Sequence, residues 1–216
     1  MIHENTNVCL RQYDILSALD HQNIIKAFEK FKYKENDCLI FQYYQSDLLK
    51  LLKKSNEPLE ENLIRVIFKE ILQGVEYLHS QGIIHRDLKP DNVLVGQEGK
   101  IVLADFDLAR VLQGLPLSKG VATVYYRPPE IFYGDISYDY SLDMWSLGCI
   151  LAEMILKEPI FKGRSEFEVM YKVYEVLSFA DVEYLLIFRK ILGLAVLTCR
   201  HFLPLEKINP VDPLEM

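Results

Sequence analysis

The sequence predicts an α+β fold that is mostly helical, and three observations carry that prediction. Leu59 to Gln81 places Leu63, Ile64, Ile67, Ile71, Leu72, Val75 and Leu78 at the spacing of one helix face. Val93-Leu94-Val95 and Ile101-Val102-Leu103-Ala104 flank Gly96-Gln97-Glu98-Gly99, which reads as a β-hairpin with a glycine-containing loop. Ser165 to Leu177 opens on a capping-box pair, Ser165 and Glu168, and continues through Val169, Met170, Val173 and Val176 as a further helix.

Pro58 suits a first helical turn and Gly82 a stop, so the 59–81 helix has punctuation at both ends. Ser141 to Met154, SLDMWSLGCILAEM, is an apolar helix with few polar residues. Residues 184–199, YLLIFRKILGLAVLTC, are apolar but broken by Arg189 and Lys190. That run is too short and too charged to cross a membrane, and reads as a buried or partner-facing helix.

At 216 residues with 50% hydrophobic content, one domain with a sizeable core is expected. A net charge of −7 and a pI of about 5.3 argue against nucleic acid and anionic membrane surfaces as partners. The four cysteines, Cys9, Cys38, Cys149 and Cys199, lack metal-ligand spacing, and the five histidines offer no ligand pair. With no signal-peptide pattern, free thiols in a reducing cytosol or nucleus are expected. There is no internal repeat, linker or low-complexity tract.

The chemistry is concentrated in three runs. His85-Arg86-Asp87-Leu88-Lys89-Pro90-Asp91-Asn92 lies between the long helix and the hairpin, and Asp105-Phe106-Asp107 follows the hairpin's second strand. Tyr125-Tyr126-Arg127-Pro128-Pro129-Glu130 precedes the SLDMWSLGCILAEM helix. HRDLKPDN matches the H-R-D-L-x-x-x-N pattern at every fixed position, and the second run begins like D-F-G. Together these runs resemble the catalytic domain of eukaryotic protein kinases, in particular the cyclin-dependent kinase and MAP kinase group, over roughly residues 5–178.

The resemblance implies a protein-kinase-like fold with a mostly helical C-lobe and an incomplete β N-lobe. Residues 1–216 would form one domain: 1–44 a partial N-lobe from C-helix to hinge, 45–178 the C-lobe, and 179–216 a divergent segment. It also assigns roles. Asp87 would accept the proton of a substrate hydroxyl, Lys89 would sit near the γ-phosphate of ATP, and Asn92 and Asp105 would hold Mg²⁺ through oxygen ligands. His85 would be an anchor of the loop, and Asp143 would hold the loop backbone from a central buried helix. Counting from Leu19-Asp20-His21-Gln22-Asn23-Ile24, Val8 to Leu19 falls on the C-helix. Cys38 to Tyr44 then reads as the strand into the hinge. Phe41 would be the gatekeeper, Gln42, Tyr43 and Tyr44 the adenine-binding hinge, and Leu94 the residue beneath the ring. For Phe41 and Leu94, core packing is an equally open reading.

The same resemblance makes 105–130 the activation segment. Ser118 falls near the activating phosphorylation site, where a phosphate would pair with Arg86. Thr123 would lie close to Asp87 and Lys89 and help seat substrate. Arg127 implies preference for serine or threonine followed by proline. Glu130 would pair with an arginine from later in the domain, a place Arg200 is the candidate to fill.

Several departures leave two functional readings. No G-x-G-x-x-G loop and no V-A-I-K lysine precede the C-helix region, Gln12 stands where that helix carries glutamate, and Asp107 replaces the D-F-G glycine. Nucleotide binding by the chain as written is therefore expected to be weak or absent. The first reading is a serine/threonine protein kinase of the cyclin-dependent type, with ATP and Mg²⁺ as cofactors, protein substrates, and a cyclin-like activator at the C-helix region. The second is a pseudokinase or truncated fragment acting as a protein-binding module.

Overall fold

The fold is organised by two long helices that pack against each other. The computed structural model describes residues 2–3, 6–34, 36–54, 57–112, 120–134 and 139–178. Helix α3, Glu61–Ser80, buries Ile64, Ile67, Phe68, Ile71, Gly74, Val75 and Leu78, the face given by its 3.6-residue period. It starts later than the apolar pattern predicts. Glu60 is the extended N-cap, its carbonyl accepts the first helical bond from Ile64 N–H, and Pro58 stays outside the helix. Gly82 takes the left-handed conformation just past the end (φ +73°), as its placement predicts.

Helix α5, Ser141–Leu156, is apolar nearly all round, which suits a helix surrounded by protein. Leu142, Leu147, Ile150 and Met154 are buried, and so are its polar residues Asp143, Ser146 and Glu153. It ends at Lys157, whose φ of +68° closes a turn with Lys157 N–H donating to Glu153 O (2.8 Å).

Around these lie the shorter elements. Helix α1 spans Thr6–Ser17, with one tighter turn carrying the chain to Leu19. Strand β1, Ile2–His3, pairs antiparallel with β3, Asn36–Phe41, whose other edge takes β2, Ala27–Tyr33. A second antiparallel sheet has the order β4 (Ser46–Asp47), β6 (Val93–Val95), β7 (Ile101–Leu103). The predicted hairpin is thus present, with Val93 opposite Leu103 and Val95 opposite Ile101. Strand β5, Ile83–Ile84, pairs with β8, Arg110–Val111, and so brackets the 85–109 segment at its base. Helix α2, Leu48–Lys54, packs on the loop side, followed in the chain after the hairpin by α4, Pro129–Phe132, and α6, Glu166–Ser178. At the start of α6, Ser165 Oγ accepts Glu168 N–H (3.2 Å), while Glu168 Oε2 reaches back to Arg164 N–H (2.6 Å), so the capping pair closes one residue further upstream than a standard box.

The turn after α1 is stitched to the hairpin. Asn23 Nδ2 donates to Ile101 O (2.8 Å) and to Glu70 Oε2 (3.1 Å), Glu70 Oε2 accepts Ile101 N–H, and Asn23 O accepts Leu103 N–H (2.8 Å). Gly74 permits this approach, because a Cβ there would lie 2.9 Å from Leu103 Cδ1 and 3.1 Å from Asn23 O. No helix among the described residues is long and apolar enough to cross a membrane. The 184–199 run, Ser118, Cys199 and Arg200 lie outside the described residues.

Candidate active site

The 85–92 loop is held from below by one carboxylate. Asp143, fully buried in α5, accepts His85 N–H on Oδ2 (2.9 Å) and Arg86 N–H on Oδ1 (2.9 Å). His79 Nε2 on α3 donates to the same Oδ2 at 2.9 Å. His85 Nε2 donates to Ala104 O (3.0 Å), which fixes the tautomer and leaves Nδ1 to accept Asp87 N–H (3.3 Å). The His85 ring rests on Phe106, centroids 4.8 Å apart. Arg86 is left-handed (φ +70°) and buried, and its Nε donates to Leu108 O (2.6 Å). A β-hairpin, a helix and a loop thereby meet at one rigid turn.

Above it, Asp87, Lys89 and Thr123 form a triangle. Lys89 Nζ donates to Asp87 Oδ2 (2.7 Å) and to Thr123 Oγ1 (3.1 Å), and Thr123 donates its hydroxyl (2.7 Å) and its N–H (2.9 Å) to Asp87 Oδ1. Burial pushes the Asp87 carboxyl up, but the hydrogen bonds from Lys89 and Thr123 and the Lys89 charge outweigh it, so its pKa lies below the ordinary aspartate value. Asp87 is therefore a carboxylate at neutral pH. It can accept a proton while a cation stands beside it.

The donor set for a magnesium ion is coherent. Asn92 commits its Nδ2 to Asp87 O (2.9 Å) and Oδ2 (3.3 Å), which leaves its amide oxygen as the free acceptor. Ala104 N–H donates to Asn92 O (2.9 Å), and so brings Asp105 beside Asn92. Asp105 sits in a left-handed conformation (φ +62°), half-buried, with no hydrogen bond or ion pair among the described residues. Asn92 and Asp105 thus offer two hard oxygen groups on neighbouring stretches of backbone, a donor type that fits Mg²⁺. The nucleotide side also fits. Phe41, Tyr44 and Leu94 are half-buried against the core, and the backbone of Gln42, Tyr43 and Tyr44 makes no hydrogen bond among the described residues, so its donors and acceptors are open to an adenine.

Asp107 sits at ordinary φ, so no glycine is needed there. Its carbonyl accepts Arg11 Nη2 from α1. Gln12 is buried, and its Oε1 has no hydrogen-bond partner among the described residues. Glu130 lies in the first turn of α4, half-buried, with no partner among the described residues.

Sequence reading missed several members. Arg11 is lowered from the usual arginine range by burial and by the charge of Arg86, with Asp107 pulling the other way, so these three groups are neighbours. Ala122 carries a left-handed backbone (φ +66°), and Arg127 covers its carbonyl with Nη2 (2.9 Å) and Nε (3.3 Å). Arg127 also pairs with Glu166 on α6 (2.7 Å). Nothing in an alanine codon signals such a backbone; only the contacts of Arg127 reveal it.

Comparison with known proteins points the same way. A family model described as "Protein kinase domain" matches residues 2–186. The chain is 36% identical over 174 residues to "Cyclin-dependent kinase D-1" of Arabidopsis thaliana, which covers 79% of this chain and 44% of that relative. It is 35% identical over 182 residues to "Cyclin-dependent kinase 2" of Caenorhabditis elegans, 82% of this chain and 50% of the relative. A solved chain from "Crystal Structure of the yeast RNA Pol II CTD kinase CTDK-1 complex" superposes with a TM-score of 0.74 at 32% identity, over 80% of this chain and 57% of that one. The chain thus spans about half the length of the curated relatives it matches. The α+β, kinase-like fold expected from the sequence is borne out. A loop hung on a buried aspartate, an ionised Asp87 clasped by Lys89 and Thr123, and a family match over most of the sequence lead to one assignment: this chain belongs to the protein kinase domain family.

Proposed function

We propose that the protein is a serine/threonine protein kinase of the cyclin-dependent type, transferring the γ-phosphoryl group of Mg²⁺-bound ATP to hydroxyls of proteins. The observation that carries this reading is the Asp87–Lys89–Thr123 triangle with Asn92 bonded to Asp87. ATP supplies the phosphoryl group, and Mg²⁺ neutralises its developing charge. Asp87 orients the substrate hydroxyl and takes its proton, Lys89 places positive charge beside the reacting oxygens, and Thr123 holds both in register. Asn92 and Asp105 would hold the metal, and Gln42 to Tyr44 the adenine edge.

The geometry favours proline after the phosphorylated residue. With the Ala122 carbonyl bonded to Arg127, it cannot accept an N–H from the next substrate residue, and proline has none to leave unsatisfied. A cyclin-like activator is supported by a cavity of about 640 Å³ beside α1, whose walls include Leu10, Arg11, Ile15, Ile83 and Arg110. Phosphate on Ser118 would have Arg86 as its partner. The buried free thiols Cys9, Cys38 and Cys149 fit a reducing cytosol or nucleus.

One observation favours the second reading, a catalytically impaired binding module: the buried, neutral Gln12 with an unpartnered Oε1. A phosphotransfer assay on a Ser-Pro peptide separates the two. Incorporation lost in Asp87→Asn supports the kinase; a folded protein with no incorporation supports the module.

A further inference from the structure

Two guanidinium groups close on the short turn that carries Asp105. Arg86 Nε, from the 85–92 loop, donates to Leu108 O (2.6 Å), and Arg11 Nη2, from α1, donates to Asp107 O. Consecutive carbonyls are thus capped from two different elements. Ahead of them, Asp105 is left-handed (φ +62°) and Phe106 is buried against the His85 ring. Beyond them, Ala109 N–H donates to Phe106 O (3.1 Å) and closes the turn. The direction of the Asp105 carboxylate follows from this turn, and α1 reaches the turn through Arg11.

Two cations on neighbouring carbonyls repel each other. Burial and then the Arg86 charge lower Arg11 from the ordinary arginine range, and Asp107 acts the other way. A desolvated guanidinium beside a second one needs a counter-charge. Asp107 carries that charge on the same residue whose carbonyl Arg11 takes. A glycine at 107 would offer the carbonyl without the carboxylate. The second departure from the kinase pattern lies one residue along on α1: Gln12 is buried and neutral, and its Oε1 has no hydrogen-bond partner among the described residues. Against that pattern, α1 lacks a carboxylate at 12, and the turn that α1 touches gains one at 107. Both departures bear on one contact, the attachment of α1 to the metal-binding turn.

We propose that Arg11 and Asp107 are coupled positioning residues: the Asp107 carboxylate offsets the repulsion between Arg11 and Arg86, keeps Arg11 on the Asp107 carbonyl, and so fixes α1 against the turn that presents Asp105 to Mg²⁺. The inference rests on the kinase reading but needs no turnover to be tested. The 216-residue chain is titrated with ADP by calorimetry, with Mg²⁺ and with EDTA. The variants are Asp107→Gly, Asp107→Asn, Asp107→Glu, Arg11→Ala and the Arg11→Ala/Asp107→Asn double. Asp107→Asn removes the charge without freeing the backbone, so it remains informative if the glycine variant does not fold. Asp107→Asn and Arg11→Ala should each weaken Mg-ADP about fivefold, and the double variant should be no weaker than either single. Binding of metal-free ADP should stay at the parent value, and Asp107→Glu should restore Mg-ADP binding. Parental Mg-ADP affinity in Asp107→Asn, or tighter binding in Asp107→Gly, overturns the inference and leaves the kinase reading intact. Losses that add in the double variant, or that are equal with and without Mg²⁺, also overturn it, because the two side chains then act separately or only on folding. A parent chain that binds no Mg-ADP overturns this inference together with the kinase reading.

Discussion

Thr123 Oγ1 stands between Asp87 and the Lys89 ammonium, donating to Asp87 Oδ1 at 2.7 Å and accepting from Lys89 Nζ at 3.1 Å. The hydroxyl therefore tunes both charges. Thr123→Ala removes a charge-assisted hydrogen bond of about 1.5–3 kcal/mol. Peptide phosphorylation should fall about tenfold or more, whereas Thr123→Ser, which keeps the hydroxyl, should retain most of it. Equal rates in the alanine variant would remove Thr123 from the site.

Asp143 accepts two backbone N–H groups and His79 at once. Asp143→Asn turns one acceptor into a donor facing donors. Thermal unfolding should shift down by about 5–10 °C, corresponding to about 2–3 kcal/mol. An unchanged midpoint would mean that the loop is held by other contacts.

Glu153 has a raised pKa in the folded state, from burial first and then from Asp91. Ionising it therefore opposes folding: its contribution is fully present below the unfolded value near 4.5 and is lost as pH rises through the folded value. Glu153→Gln does not titrate and can still accept the Tyr126 hydroxyl. The midpoint of the variant minus that of the parent should grow as pH is raised from 4.5 toward 7.5. Two parallel curves would show that Glu153 does not titrate in that window.

Much of this was legible because it is local. The α3 face and the hairpin follow from periodicity, and the 85–92 loop from an eight-residue pattern. The start of α3 was not, since Pro58 and Leu59 continue an extended approach that Glu60 ends. Neither was the Tyr126–Glu153 bond nor the Asn23–Glu70 stitch, because each joins residues far apart in the chain that carry no mark of being buried together. Ala122 is the sharpest case, a left-handed alanine held by a distant guanidinium.

Gly74 tests the packing between α3 and the hairpin. Alanine inside a helix ordinarily gains about 1 kcal/mol over glycine. Here its Cβ would meet Leu103 and the Asn23 carbonyl, and overpacking costs about 1–3 kcal/mol. Gly74→Ala should lower the unfolding midpoint by a few degrees; a higher midpoint would show that the stitch yields.

The most direct measurement of the central claim is thermal unfolding of the 216-residue chain with and without about 10 mM Mg-ATP, beside Asp105→Asn. A ligand at about ten times its dissociation constant adds about 1.4 kcal/mol, or about 3–5 °C for a chain of this size. The account predicts an upward shift that Asp105→Asn loses. A clean transition that does not move with Mg-ATP would contradict it and leave the chain a binding module.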